Sequence, residues 1–149
     1  MPIQVTAPVG GVAVELAAVP DPVFAAAMVG PGVAIEPDGG PATVLAPVAG
    51  TLVKLKPHAF VVVADGGHGV LVHLGIDTVH LNGDGFTLLA REGQTVAAGE
   101  PVLRWDATAV AARGLSPVCP VVALDAAPDA LADTAAGPVT PGAPLFVWT

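Results

Sequence analysis

The chain predicts an all-β fold, an antiparallel sandwich or barrel with one or two short helical turns, and three observations carry that reading. Short runs of Val, Leu, Ile and Phe are bounded by turn signals such as Pro37-Asp38-Gly39-Gly40, Asp65-Gly66-Gly67 and Asn82-Gly83-Asp84-Gly85, the spacing of strands joined by tight turns. Two stretches recur: residues 7–16 (APVGGVAVEL) return at 46–55 (APVAGTLVKL), and Val96-x-x-Gly99-x-Pro101-Val102-Leu103-x-Trp105 returns as Val139-x-x-Gly142-x-Pro144-Leu145-Phe146-x-Trp148. Repeats of this size mark duplicated supersecondary units. A fainter echo aligns residues 32–36 (GVAIE) with 69–73 (GVLVH). Third, helical signals are few.

Taken in order, Pro22 to Val29 predicts one short helix, and Asp106 caps a second from Thr108 to Arg113 that stops at Gly114. Between them, the run opened by His58 and the run Val70 to Ile76 predict a hairpin closed by the Asp65 to Gly69 turn. Ala126 to Pro141, rich in Ala and Pro, predicts a loop with a brief helical turn. No linker interrupts the 149 residues, so residues 1–149 are expected to form a single domain.

Composition excludes several classes of function. A formal net charge of −8 opposes nucleic-acid binding, which depends on Lys and Arg neutralising phosphates. Gly, Pro or Asp interrupts every apolar run before the roughly 18 residues of a membrane span. The first basic side chain is Lys54, so a secretory leader is not expected and a cytoplasmic location is. Cys119, alone in an apolar run, reads as a buried small hydrophobe. The two lysines, Lys54 and Lys56, precede His58 by four and two residues, either as a solvated strand edge or as an anion site.

His58 and His73 are the candidates for chemistry. In a strand from Val70 to Ile76, Val70, Val72, Leu74 and Ile76 face the core, while Leu71, His73 and Gly75 face away. His58, Phe60 and Val62 share a face by the same count, and pairing of the two runs brings the imidazoles close. An unpaired buried imidazole is costly, so His73 is either a satisfied core residue or a working one; spacing alone leaves both open. As a working pair, one ring attacks through one nitrogen while its other nitrogen keeps a proton on a carbonyl, for which Gly75 is placed. The second ring, with a lysine near it, donates to a bound phosphoryl group inside apolar walls. His68 is expected in an exposed turn and His80 on a solvated strand end, neither with a role.

These residues resemble the glucose-family IIA domain of the bacterial phosphoenolpyruvate-dependent sugar phosphotransferase system, over nearly the whole chain. The core signature stands as Leu71-Val72-His73-Leu74-Gly75-Ile76-Asp77-Thr78, with His58-Ala59-Phe60 upstream, Gly83-Asp84-Gly85-Phe86 downstream and Pro20-Asp21-Pro22-Val23-Phe24 near the amino terminus. The resemblance implies a β-sandwich of the duplicated hybrid motif type and a phosphocarrier working through a covalent phosphohistidine. His73 would take the phosphoryl group on Nε2 from the histidine-containing phosphocarrier protein and pass it to a cysteine of a sugar-permease IIB domain, with His58 in support. Gly75, Asp77 and Thr78 would surround the group, joined by Lys56 on the anion-site reading above. Val23, Phe24, Phe60 and Leu71 would lie on or near the apolar docking rim, with Asp21 and Asp77 as its acids, a surface suited to basic partners. Transporters or kinases that sense the phosphorylation state are compatible further partners.

Two departures stand out. Many relatives carry a threonine two residues before the supporting histidine, where this chain has Lys56, and the amphipathic amino-terminal tail that some use on membranes is not seen, so no direct membrane anchor is expected. No cofactor is implied; His58 and His73 are the only plausible metal pair, and zinc would need an acid from a partner. A zinc peptidase of the lysostaphin type is the competing reading, but it needs a third ligand, commonly from His-x-His, and no such pair occurs. A biotinyl or lipoyl carrier would need a lysine at a hairpin tip, whereas both lysines lie in a strand-like run.

Overall fold

Residues 2–149 are described by the computed structural model. The strands are β1 (Ile3–Thr6), β2 (Gly11–Glu15), β3 (Gly32–Pro37), β4 (Pro41–Leu45), β5 (Gly50–Lys56), β6 (Ala59–Ala64), β7 (His68–His73), β8 (Phe86–Leu88), β9 (Thr95–Val96), β10 (Pro101–Asp106), β11 (Cys119–Ala123), β12 (Leu131–Ala132), β13 (Gly137–Val139) and β14 (Pro144–Trp148). Two short helices, α1 (Pro22–Ala25) and α2 (Ala107–Ala112), and two 3₁₀ turns, Leu16–Ala18 and Thr78–Leu81, complete the chain.

The strands form an eight-stranded sheet, β13-β2-β3-β11-β7-β6-β5-β9, and two three-stranded sheets, β1-β14-β12 and β4-β10-β8. The duplication predicted from the echoes is visible in this order. The echoed strands β2 and β5 lie second from either end of the large sheet, and β10 and β14 are the central strands of the two small ones. The fainter echo has no such counterpart, because position pairs β3 with β6 and β7 with β11.

Alternation along β6 and β7 sends Phe60, Val62, Val70 and Val72, all 0% exposed, into the main core with Phe146, Leu145 and Trp105. A second, smaller core of Leu16, Val19, Phe24, Ala34, Ile76, Val118 and Val122 forms where α1 and its flanks cover the other face of the large sheet, with Leu71 packed against it. β11 is therefore buried on both faces, and Cys119 is a buried free thiol as expected. Burial pushes that thiol up to about 12, which leaves it an unreactive hydrophobe.

Several local expectations are corrected. The first helix stops at Ala25, not Val29, because Ala27 turns left-handed (φ 54°). The 126–141 segment has no helical turn; it contributes β12 and β13, which pair with β14 and β2. His68 lies within β7 with its ring edge-on to Trp148, at 4.8 Å between centroids. His80 is exposed but sits in the 3₁₀ turn after Asp77.

Candidate functional site

The site begins with the β6–β7 hairpin, whose register sets Ala59 opposite His73 and Phe60 opposite Val72. Residues directly opposite share a face, so Phe60 is on the core side with Val72, and His73 stands on the outer side with Ala59. Strand parity alone would thus have hidden His58 from His73. Instead His58 lies in the turn between β5 and β6, and its carbonyl accepts from Leu74 N–H at 2.7 Å. That main-chain clasp brings the rings together, with centroids 5.3 Å apart and planes at 74°.

β7 ends at His73, not at Ile76. Gly75 has φ 80° and Asp77 φ 61°, both left-handed, so the period of two breaks and Ile76 enters the smaller core instead of the main one. Ile76 N–H is held by the Ser116 carbonyl at 2.9 Å. The bend turns the Gly75 carbonyl back toward the ring, where it accepts from His73 Nδ1–H at 2.6 Å. A carbonyl only accepts, so Nδ1 holds the proton and the lone pair is on Nε2. Among the described residues no buried side-chain nitrogen or oxygen lacks a partner; Nε2, without one, is therefore open to solvent.

Phe24 packs on the same imidazole, 5.2 Å between centroids. It is held there because Asp21 caps α1, its Oδ1 accepting from Val23 N–H at 2.9 Å and Phe24 N–H at 3.4 Å. Burial lowers the pKa of His73, opposed by the Gly75 carbonyl and then by Asp21 and Asp77. His58 is also lowered, by burial first, then by His73 and Lys56. Both rings are thus neutral at pH 7.

The remaining predicted residues divide clearly. Lys56 and Asp77 are exposed at the rim. Thr78 is buried, and its hydroxyl donates to the Leu74 carbonyl at 2.8 Å, so it buttresses the bend without facing the imidazole's open side. Val23 is 42% exposed and Leu71 partly so. Phe60 is corrected: fully enclosed in the main core, it offers a partner no surface. Met28 and Val79 are further exposed apolar side chains, in the turns that follow α1 and Asp77; neither was anticipated, since single apolar residues in turns carry no periodic signal. Ser116 was likewise missed, because its part in the bend is played by its main-chain carbonyl, which leaves no trace in the sequence. A cleft of about 690 Å³ lies at the far end of the hairpin, lined by Ile3, Gln4, Val48, Asp65 and His68 among others. It is remote from the paired rings.

Among the described residues no group of three or more His, Cys, Asp or Glu gathers as a metal site, so the third ligand of a lysostaphin-type centre has no counterpart. Among the described residues no helix is long and apolar enough to cross a membrane. Fold and site together define an antiparallel β-sandwich bearing one tautomer-fixed, solvent-open imidazole beside a second.

Comparison with known proteins places that class. A family profile described as phosphoenolpyruvate-dependent sugar phosphotransferase system, EIIA 1, matches residues 3–128. The chain belongs to this family. It is 38% identical over 122 residues to a PTS system glucose-specific EIIA component of Oceanobacillus iheyensis, covering 80% of this chain and 73% of that protein. It is also 42% identical over 127 residues to the PTS system mannose-specific EIIBCA component of Corynebacterium glutamicum, covering 84% of this chain but only 18% of that longer protein. The solved glucose permease IIA from Mycoplasma capricolum superposes with a TM-score of 0.93 at 32% identity, covering 100% of this chain and 97% of that one.

Proposed function

We propose that the protein is a cytoplasmic phosphocarrier of the sugar phosphotransferase system, taking a phosphoryl group on His73 Nε2 from the histidine-containing phosphocarrier protein and passing it to a cysteine of a sugar-permease IIB domain. The observation that carries this reading is the 2.6 Å bond from His73 Nδ1 to the Gly75 carbonyl, which leaves Nε2 as the nucleophile.

In the first transfer the Nε2 lone pair forms a bond to phosphorus as the donor's P–N bond breaks and returns its electrons to the donor ring. No proton leaves His73, because Nδ1–H stays on Gly75 throughout. The phosphorylated ring is then cationic at the imidazole, and the carbonyl offsets that charge. His58, 5.3 Å away ring to ring, donates to a phosphoryl oxygen. In the second transfer a thiolate attacks phosphorus, the Nε2–P bond breaks, and the ring recovers its lone pair. Phe24 and the exposed Val23 become dry when a partner docks, so the acceptor thiol reaches phosphorus in place of water. The fused component EIIBCA of the Corynebacterium relative supports a IIB domain as that acceptor. The transfer as written uses no prosthetic group.

The test is labelling by radioactive phosphoenolpyruvate with the two general phosphotransferase proteins. The wild type takes up an acid-labile, base-stable phosphate and His73→Ala takes up none. His58→Gln is labelled but hands the group on slowly. Labelling of His73→Ala, or unimpaired onward transfer by His58→Gln, contradicts these roles.

A further inference from the structure

We infer that Lys56 is a phosphoryl-binding residue, its ammonium reaching across Ala59 to the group carried on His73, so that it sets how far phosphoryl exchange runs toward this chain. The inference rests on the phosphocarrier reading and names a determinant that reading does not require. Its basis is the sheet register. Lys56 pairs with Ala59, and Ala59 pairs with His73, so the three form one row across β5, β6 and β7. Directly paired residues project to the same face, and two strand spacings separate the Cα atoms of Lys56 and His73 by about 10 Å. The residue between them has only a methyl group, so an extended lysine stem has room to pass over it and carry its ammonium toward the end of the imidazole.

No other basic residue shares that row. Lys54 pairs with Val61, which pairs with Leu71, one row further from the chemistry. Lys56 is exposed, and the ion pair found among the described residues joins Arg113 to Asp84 at 2.9 Å, leaving the Lys56 ammonium uncommitted. It stands near enough to His58 to contribute, after burial and His73, to keeping that ring neutral. The arriving dianion meets acids at Asp21 and Asp77; Lys56 is the cation that offsets them. At about 6 Å, in a dielectric close to that of water, a single cation favours a dianion by roughly tenfold in an equilibrium constant.

The experiment is phosphoryl exchange between the phosphorylated donor carrier and the full chain, run to equilibrium at low and high salt. Lys56→Met should move the equilibrium roughly tenfold toward the donor at low salt, and less at high salt. Lys56→Arg should retain most of the wild-type value. Lys54→Met, which removes the same charge one row away, should shift it less than about twofold. A Lys56→Met equilibrium equal to wild type, or a Lys54→Met shift as large, overturns the inference while leaving the phosphocarrier reading intact. A wild type that takes no label ends both.

Discussion

Gly75→Ala tests how the backbone prepares the nucleophile. Gly75 adopts φ 80°, and an added Cβ would stand 2.6 Å from Thr78 Cγ2 and 3.0 Å from the Ser116 carbonyl. The left-handed backbone alone costs an alanine about 1–2 kcal/mol. Neither neighbour yields readily: Thr78 is 1% exposed and its hydroxyl is bonded to Leu74, while the Ser116 carbonyl holds Ile76 N–H. Overpacking of this kind adds about 1–3 kcal/mol, for a total of about 2–5 kcal/mol. Gly67 has a similar φ of 85° with nothing within 4 Å of an added Cβ, so Gly67→Ala isolates the backbone cost. Urea unfolding should show Gly75→Ala less stable than Gly67→Ala by about 1–3 kcal/mol. Nitrogen NMR of His73 should also show the Nδ1–H tautomer weakened only in Gly75→Ala. Equal losses in both variants, with the His73 tautomer unchanged, would refute the idea that this bend is a packed device for aiming a carbonyl.

Two further outcomes follow from the same geometry. Burial lowers the pKa of both His58 and His73, so phosphoryl acceptance should be full near about pH 8 and fall as the rings take up protons at acid pH. The unfolded chain takes up these protons first, so the neutral rings' contribution to stability is full above pH 6.5 and is lost as pH falls through the lowered native values. Unfolding measured at about pH 7 and pH 5 should therefore show a larger loss for wild type than for His73→Asn. Phe60→Ala should cost about 3–5 kcal/mol of stability, whereas Val23→Ala should stay within about 0.5 kcal/mol and weaken transfer to and from partners, read as a raised KM. The reverse pattern would restore Phe60 to the docking surface.

What was legible in the sequence is what local pattern and repetition encode. The 59–73 hairpin followed from β-rich runs around Asp65-Gly66-Gly67, the Asp106-capped helix from its cap and Gly114, and the duplicated architecture from echoes that prove to be equivalent strands. The Gly75 carbonyl was anticipated as the partner of His73 and lies there. What escaped depends on irregular backbone. A register shift between Leu52 and Lys54, a turn at Pro57-His58 and left-handed Gly75 and Asp77 all break the period of two, so simple parity misassigned Ile76 and could not explain how the imidazoles meet. β12 and β13 were invisible because Ala- and Pro-rich segments have little strand propensity; their partners β14 and β2 decide their conformation. Phe60 was placed on the docking rim by the family resemblance, although its cross-strand partner, Val72, puts it inside.

The most direct measurement is phosphorus–nitrogen correlation NMR on the phosphorylated, nitrogen-labelled chain, which reports the atom that carries the group. A coupling to Nε2 of His73, with Nδ1 still protonated, is the predicted result. Phosphorus on Nδ1 of His73, or on His58, would contradict the proposal that a single glycine carbonyl selects the nucleophile.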